Sequence, residues 1–468
     1  MYTPPTTSTR GRVRLNVGGR VFETTAATLA AAGRDTMLGA MVDASWNSGV
    51  HDDPAPAEYF IDRDPSCFAV LLDLLRTGDL HVPPGLPEAT LYREALYYGL
   101  LDRVRSARLG GFDPDRLRLA SSVHGRSPGD GVAIRAAPDG GCCVSHGGAS
   151  GVVRVYNWML QERRPVYYPS HAPVNDAAYL DASTLLLAAR ERPGRRDDDG
   201  GVSSFSALTG ETRHRFRVAH DRQPRSFTAT ALAFDGGCDV FASCKGRINE
   251  YGVAVWDCNT GEQTGFFYEP PGCALGEADR LQWLDGTNTL MVATMFPRTD
   301  SSFVSLLDFR DKSVVWSWSD VGTPASLEDK HAVDAVATED GRSVCLVNQY
   351  DDLGFLDLRK NAASSGGVRW RSRSKLATMS GGKTKTKKAA CGEETCYPKL
   401  AAHGGRLFAS TGDAISVFSG PDHVMTSTLR CSNGGAICDF SIGGDRLFAL
   451  HGEENVFDVW ETPPPPII

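Results

Sequence analysis

The order of apolar and polar positions divides the chain into two parts with different periodicities. In residues 12–109 short alternating runs are mixed with runs at helical spacing. "RVRLNV" and "RVFETT" alternate with period two and predict paired strands. Gly18-Gly19 between them supplies the positive φ that a two-residue hairpin turn requires. "AATLAAAG" predicts a short helix. A strand over Tyr59–Ile61 leads through Asp62, Arg63 and Asp64 to Pro65, which fits the first position of a helix because its missing N–H has no partner there anyway. Asp64 is placed to cap that helix. Phe68, Leu71, Leu72 and Leu75 form its expected buried face, and Gly78 ends it. "ATLYREALYYGLLDRVRSARLG" predicts one further helix with Leu91, Ala95, Tyr98 and Leu101 on one stripe.

From about Pro128 the helical spacing gives way to repeated short strands. "GVVRVYNW", "GVSSFSALTGE", "YGVAVWDCNTGE", "SFVSLLDFRD", "LGFLDLRK", "DAISVFSG" and "NVFDVWE" share an alternating apolar strand that ends on a polar turn. They recur at roughly 50 residues, a repeat length of the propeller class. Between them lie strand–turn–strand segments such as "LAFDGGCDVFAS" and "CDFSIGGDRLFALHG". Stacked in a ring, such units bury sheet faces that none can bury alone. Seven blades fit the seven blocks, whose last two intervals are uneven; the divergence of the repeats leaves six or eight open. Trp256 is expected between blades, with Asp257 holding the turn closed by Asn259-Thr260-Gly261. Ring closure is expected from Ile134 and its neighbours, pairing with the blade that ends at Trp460.

The expected architecture is therefore an α/β domain followed by an all-β propeller. Its parts are a polar tail 1–11, a first domain 12–109, a connector 110–127, a propeller 128–463 and a tail 464–468. Residues 374–396 form an inserted loop whose Lys383, Lys385, Lys387 and Lys388 make it basic. Gly382-Lys383-Thr384 resembles the end of a phosphate-binding loop, but the first glycine of that motif falls on Ala377 and no strand–loop–helix surrounds it.

Composition narrows the function. The net charge of −8 argues against a general nucleic-acid binder. No run of about 20 apolar residues predicts a membrane span. The start lacks an apolar signal-peptide core, and twelve irregularly spaced cysteines are too few for a disulfide scaffold, so a reducing compartment, cytoplasmic or nuclear, is expected. No catalytic spacing stands out, and neither a cofactor nor a metal is expected. Cys391 and Cys396, four residues apart, and His403 lack a fourth ligand. Adjacent Cys142 and Cys143 are expected to face opposite sides of a strand as core residues.

The blocks "RLNVGGRVFETTAATL", "FIDRDPSCFAVLLDLLRTGDL" and "EALYYGLLD", in this order, resemble the BTB/POZ domain of the potassium-channel tetramerisation type, shared by channels and soluble KCTD-like proteins. The second part resembles a degenerate WD40 propeller, in which only Trp256-Asp257 keeps the full dipeptide. Together they resemble plant BTB/POZ domain-containing and KCTD–WD40 proteins. Some channel domains of this type add a zinc-binding His/Cys cluster; with Cys67 the only cysteine of the domain, no interfacial zinc is expected. The resemblance implies a homo-tetramer or homo-pentamer, and a non-catalytic substrate adaptor of a cullin-3 ubiquitin ligase. The alternative is an oligomeric scaffold regulating a receptor, channel or signalling protein.

By this resemblance Asp62, Arg63 and Asp64 lie near the subunit interface. The cullin face is expected on the loop 38–53, with Met41, Val42 and Trp46 as apolar anchors, and on the helix start after Pro87. Substrate is expected at one end of the propeller. The candidates are Arg163, Arg164, Tyr167 and Tyr168, and the loop carrying Arg215, Arg217, Arg222 and Arg225, whose guanidinium groups suit an acidic or phosphorylated peptide.

Overall fold

The computed structural model describes residues 12–34, 36–42, 58–109, 112–125, 130–147, 151–168, 172–191, 201–220, 223–225, 227–246, 251–268, 275–296, 303–319, 331–360, 368, 370–376, 396–431, 435–452 and 456–463. The chain divides into two units, one within residues 1–111 and the other over 112–461.

In the first unit β1 (Arg12–Val17) pairs antiparallel with β2 (Arg20–Thr25) and parallel with β3 (Glu58–Ile61). Five helices follow this sheet or interrupt it: α1 (Ala26–Ala30), α2 (Met37–Met41), α3 (Pro65–Thr77), α4 (Glu88–Tyr98) and α5 (Leu101–Leu109). Leu15 and Val17 point to the helices and are fully buried, together with Phe68, Leu71 and Tyr98. The stripe of α3 differs slightly from expectation. Leu74 is buried and Leu75 only half-buried, so the buried face of α3 is wider than one stripe and takes in Val70 and Leu74 beside Phe68, Leu71 and Leu72. The last expected helix is two helices. Gly99 ends α4 at φ 73°, and a Cβ there would lie 3.2 Å from the backbone of Thr36, so the chain turns at a glycine held against a neighbour.

The second unit is a propeller of seven sheets among the described residues. Blade 1 comprises Gly131–Ala136, Cys142–His146, Val152–Tyr156 and Val166–Tyr167. Blade 2 comprises Val174–Asp181, Thr184–Ala189, Gly201–Ser206 and Thr212–Phe216. Blade 3 comprises Thr228–Phe234, Asp239–Lys245, Tyr251–Asp257 and Gln263–Tyr268. Blade 4 comprises Glu277–Leu284, Thr289–Phe296, Val304–Asp308 and Ser313–Trp318. Blade 5 has Ala332–Ala337, Ser343–Asn348 and Leu353–Asp357. Blade 6 comprises Leu400–His403, Arg406–Thr411, Ala414–Ser419 and Val424–Arg430. Blade 7 comprises Ile437–Gly443, Arg446–His451 and Val456–Glu461, completed by Arg118–His124.

The seven repeated blocks of the sequence hold the third strands of the seven blades. First strands adjoin in the order 1 to 7 and back to 1, which closes the ring. Blade 5 lacks a regular fourth strand among the described residues. Arg371 instead bridges Leu353, and Val368 and Trp370 lie so close over Gly354 that a Cβ there would clash at 2.3 Å.

Ring closure differs from expectation. Ile134 belongs to the first strand of blade 1, whereas the fourth strand of blade 7 is Arg118–His124, pairing Leu119 with Trp460. That segment falls inside the expected connector 110–127, so the propeller begins before 128. Its charge and polarity read as an exposed link, but an outermost strand needs only one partner and tolerates polar side chains on its outer edge. Cys142 and Cys143 are buried on opposite faces of blade 1, in two separate clusters. Trp256 stacks on Phe227 at 6.0 Å between blades 2 and 3, and Asp257 Oδ1 accepts from Asn259 N and Thr260 N at 2.8 and 2.9 Å. No helix of the described residues is long and apolar enough to cross a membrane.

Candidate interaction surfaces

In the first unit the Gly18-Gly19 turn and the Asp62-Arg63-Asp64 segment form one assembly. Gly18 has φ 54° and donates to Ile61 O at 2.9 Å; a Cβ on it would sit 2.4 Å from the Arg63 carbonyl oxygen. The glycine is thus required twice, by the turn and by this approach. Asp64 Oδ1 accepts from Ser66 N at 2.7 Å and Cys67 N at 3.2 Å, capping α3. Arg63 lies 3.8 Å over the ring of Tyr97 and 3.7 Å from Glu94. Asp62 is exposed.

Beside this segment the outer sheet face carries a row across three strands: Val21, Asn16 and Phe60 are cross-strand neighbours. Val21 is 46% and Phe60 66% exposed, while Asn16 Oδ1 between them is buried without a hydrogen-bond donor among the described residues. Leu96 and Tyr97 on α4 are also exposed, and Glu94 Oε2 is likewise buried without a donor among the described residues. Large apolar groups in water beside unsatisfied acceptors are what a surface presents when another chain completes it.

Of the expected cullin anchors, Met41 ends α2 and Val42 caps it, both half-buried. Trp46 and the rest of 43–57 lie outside the described residues, as does most of the inserted loop, 377–395, with its lysines and Cys391. His403 packs its ring on Phe112 at 5.0 Å, and Cys396 sits near Cys438 against Gly452.

On the propeller, Arg163 and Arg164 run along the outer edge of blade 1, with Arg163 N donating to Val155 O. Tyr167 is half-exposed opposite Val152. Tyr168 is only 2% exposed. Its ring packs on Phe205 and its hydroxyl lies 3.5 Å from Ser203 Oγ, which makes it a core residue and removes it from any accessible surface. Burial pushes its hydroxyl up to about 12, against the lowering effects of Ser203 and Arg215. Arg215 and Arg217 are exposed near the end of the fourth strand of blade 2, and Ser203 pairs directly with Arg215. Antiparallel pairing thus brings Tyr167 and Arg215 toward one rim, while Arg163 and Arg164 stand further along the blade edge. Arg222 lies outside the described residues; Arg225 belongs to a short ribbon, Val218–His220 with Gln223–Arg225.

Two features were not anticipated. The first strands carry two hydrogen-bonded clusters of charge. Arg135 of blade 1 pairs with Asp439 of blade 7 and, at 2.6 Å, with Asp176 of blade 2. Each of these acids also accepts a backbone N–H from the next blade: Asp439 from Ile134 and Asp176 from Leu232, both at 3.0 Å. Asp334 of blade 5 does the same for Leu400 N at 2.7 Å and pairs with Arg280 at 3.1 Å. Burial opposes the charge on Arg135, but Asp176 and Asp439 more than offset it and its pKa is raised. The sequence signal was an acid recurring in "VNDAA", "VDAVA" and "CDFSI" within otherwise apolar first strands.

The second is a cleft of about 390 Å³ between blades 3 and 4, lined by Asp235, Asp239, Phe241, Trp283, Phe309 and Lys312 among others. Phe241 and Trp283 stack at 5.0 Å. The Asp239 carboxyl is shifted up by burial, then by Asp235 and Asp257.

Comparison with known proteins places these surfaces in context. The family described as "At2g24240-like, C-terminal beta propeller" matches residues 125–462, and the BTB/POZ domain family matches residues 13–107. The chain is 57% identical to the BTB/POZ domain-containing protein At2g24240 of Arabidopsis thaliana over 98% of its length and 99% of the relative's. It is 55% identical to At4g30940 of the same plant, again over 98% and 99%. The SH3KBP1-binding protein 1 of Bos taurus is 36% identical over 97 residues, 21% of this chain and 13% of that protein.

Proposed function

The chain belongs to the family of BTB/POZ proteins with an At2g24240-like C-terminal propeller, and from that premise we propose that it is an oligomeric substrate adaptor of a cullin-3 ubiquitin ligase. It joins two protein-interaction domains. In this reading the BTB unit assembles four or five copies and presents them to the cullin, and the propeller captures substrate. The chain itself transfers nothing.

The observation that carries the assembly is the Val21–Asn16–Phe60 row. It exposes apolar side chains around a buried oxygen that lacks a donor among the described residues. Asp62 and Arg63 adjoin it and supply charges able to set the register between copies. The cullin contact is assigned to Met41, Val42 and Trp46 and to the start of α4. Substrate is assigned to the rim with Tyr167, Arg215 and Arg217, where guanidinium groups suit an acidic or phosphorylated segment. Several propellers on one ring raise apparent affinity for clustered epitopes.

The test uses the full chain. Light scattering gives the mass, and mixing with an N-terminal cullin-3 fragment gives the complex. Trp46→Ala should abolish the complex while leaving mass and melting unchanged. A stable oligomer that never binds the cullin fragment would overturn the ligase reading and favour the scaffold alternative.

A further inference from the structure

In blade 7 three side chains distant in sequence converge. Cys431 follows the last strand of blade 6, His451 ends the second strand of blade 7, and Asp458 lies in the third. The Cys431 sulfur, a His451 ring nitrogen and an Asp458 oxygen all lie within 4.8 Å of one another. His451 and Asp458 are buried, at 3% and 0% side-chain exposure, and Cys431 is half-buried.

The surroundings orient this set. His451 Nδ1 is 3.0 Å from the Gly435 carbonyl oxygen, which can only accept, so Nδ1 carries the proton. The other nitrogen, Nε2, faces Asp458 Oδ2 at 3.3 Å. The Ser122 hydroxyl donates to the other Asp458 oxygen, Oδ1. A histidine whose far nitrogen is held by a carbonyl, and a carboxylate held by a hydroxyl, are the outer supports that metal ligands generally have.

The Cys431 thiol also hydrogen-bonds the Asp458 carboxylate, so this group of three is held together either by protons or by a cation that replaces them. The spacing leaves room for the cation. Charge-assisted N–H···O contacts settle at about 2.7–2.9 Å. Nitrogen and oxygen ligands each about 2.0–2.1 Å from a tetrahedral zinc stand about 3.3–3.4 Å apart. The observed 3.3 Å matches the second. Cys, His and Asp are zinc donors, and a thiolate with a carboxylate cancels the charge of a divalent cation, leaving a neutral centre where burial of a net charge would be costly.

We propose that Cys431, His451 and Asp458 form a binding site for a zinc-class divalent cation, with water in the fourth position on the half-exposed cysteine side. Binding expels the thiol proton of Cys431 to solvent, and the thiolate, Nε2 and Asp458 Oδ2 each donate a pair to the ion. The site joins the end of blade 6 to blade 7, and through Ser122 it touches the Arg118–His124 strand that completes the ring. The ion therefore acts at ring closure. Sequence reading finds no metal motif here because the ligands stand 20 and 7 residues apart on different strands, and only the sheet brings them together.

The experiment uses the full-length protein, stripped by a chelator, reloaded with zinc alone and freed of excess by gel filtration. About one zinc per chain is expected by elemental analysis, with a melting temperature above that of the stripped protein. Cobalt in place of zinc should give a thiolate-to-metal charge-transfer band. Cys431→Ser should lose that band, His451→Gln should weaken binding by tenfold or more, and Ser122→Ala by about tenfold with the band kept. The zinc-dependent rise in melting of the wild-type chain needs no variant, so a misfolded Cys431→Ser does not shield the proposal. No retained zinc and no melting shift would overturn it. So would zinc held equally well by Cys431→Ser and His451→Gln, which would place the ion elsewhere.

Discussion

Asp439 is the residue at which the propeller's dependence on its inter-blade charge contacts can be measured. Its carboxylate does two things: it accepts the buried Ile134 N–H of the neighbouring blade at 3.0 Å, and it pairs with Arg135. Replacing it by asparagine keeps an acceptor for Ile134 but removes the charge. Arg135 is 31% exposed and retains Asp176 at 2.6 Å, so the lost ion pair, discounted for solvent screening, costs about 1 kcal/mol. Replacing it by alanine also strands the Ile134 N–H, which adds about 1–3 kcal/mol. The total for Asp439→Ala is then about 2–4 kcal/mol. Unfolding entropy of about 2 cal/mol/K per residue, over the unit spanning 112–461, converts 1 kcal/mol into about 1.4 °C. Asp439→Asn should therefore lower the propeller's melting midpoint by about 1–2 °C and Asp439→Ala by about 3–6 °C, read by tryptophan fluorescence. Equal shifts for the two variants would refute the reasoning, since they would show that the backbone acceptor contributes nothing beyond the charge.

Gly18→Ala forces a side chain into positive φ and against the Arg63 carbonyl at 2.4 Å; it should destabilise the BTB unit by more than about 1 kcal/mol, seen as an earlier melting step with the propeller step unchanged. Phe60→Asp should reduce the particle mass in light scattering without altering circular dichroism, and Arg63→Glu should weaken assembly in the same assay; an unchanged mass in both would remove that face from the interface. The folded pKa of Asp239 is raised above the unfolded value, so its ionisation opposes folding at pH above the folded pKa, and that penalty fades as pH falls through the folded pKa toward the unfolded one. Asp239→Asn should accordingly raise the melting temperature slightly near neutral pH and have no effect below the ordinary aspartate range. A uniform effect at all pH values would assign the change to packing instead.

Much of this protein was determined by its sequence alone, and the reason is locality. A hairpin turn, a helix cap and a strand period involve residues a few positions apart, so Gly18-Gly19, the Asp64–Pro65 start of α3 and the seven third strands were all legible. So were Trp256 with its Asp257 turn and the two faces of Cys142-Cys143, because a strand's period fixes them. What required the tertiary structure involves partners far apart in the chain. The Arg118–His124 strand closes a ring with residues more than 300 positions later. Tyr168 is interchangeable with Tyr167 as a sequence symbol, yet one residue of strand alternation buries it against blade 2 and leaves its neighbour in water. The Asp439–Arg135–Asp176 bridge and the Cys431–His451–Asp458 cluster exist only because adjacent blades and strands set these side chains side by side. Their chemistry is carried by distance in space, which a linear pattern of apolar and polar residues does not encode.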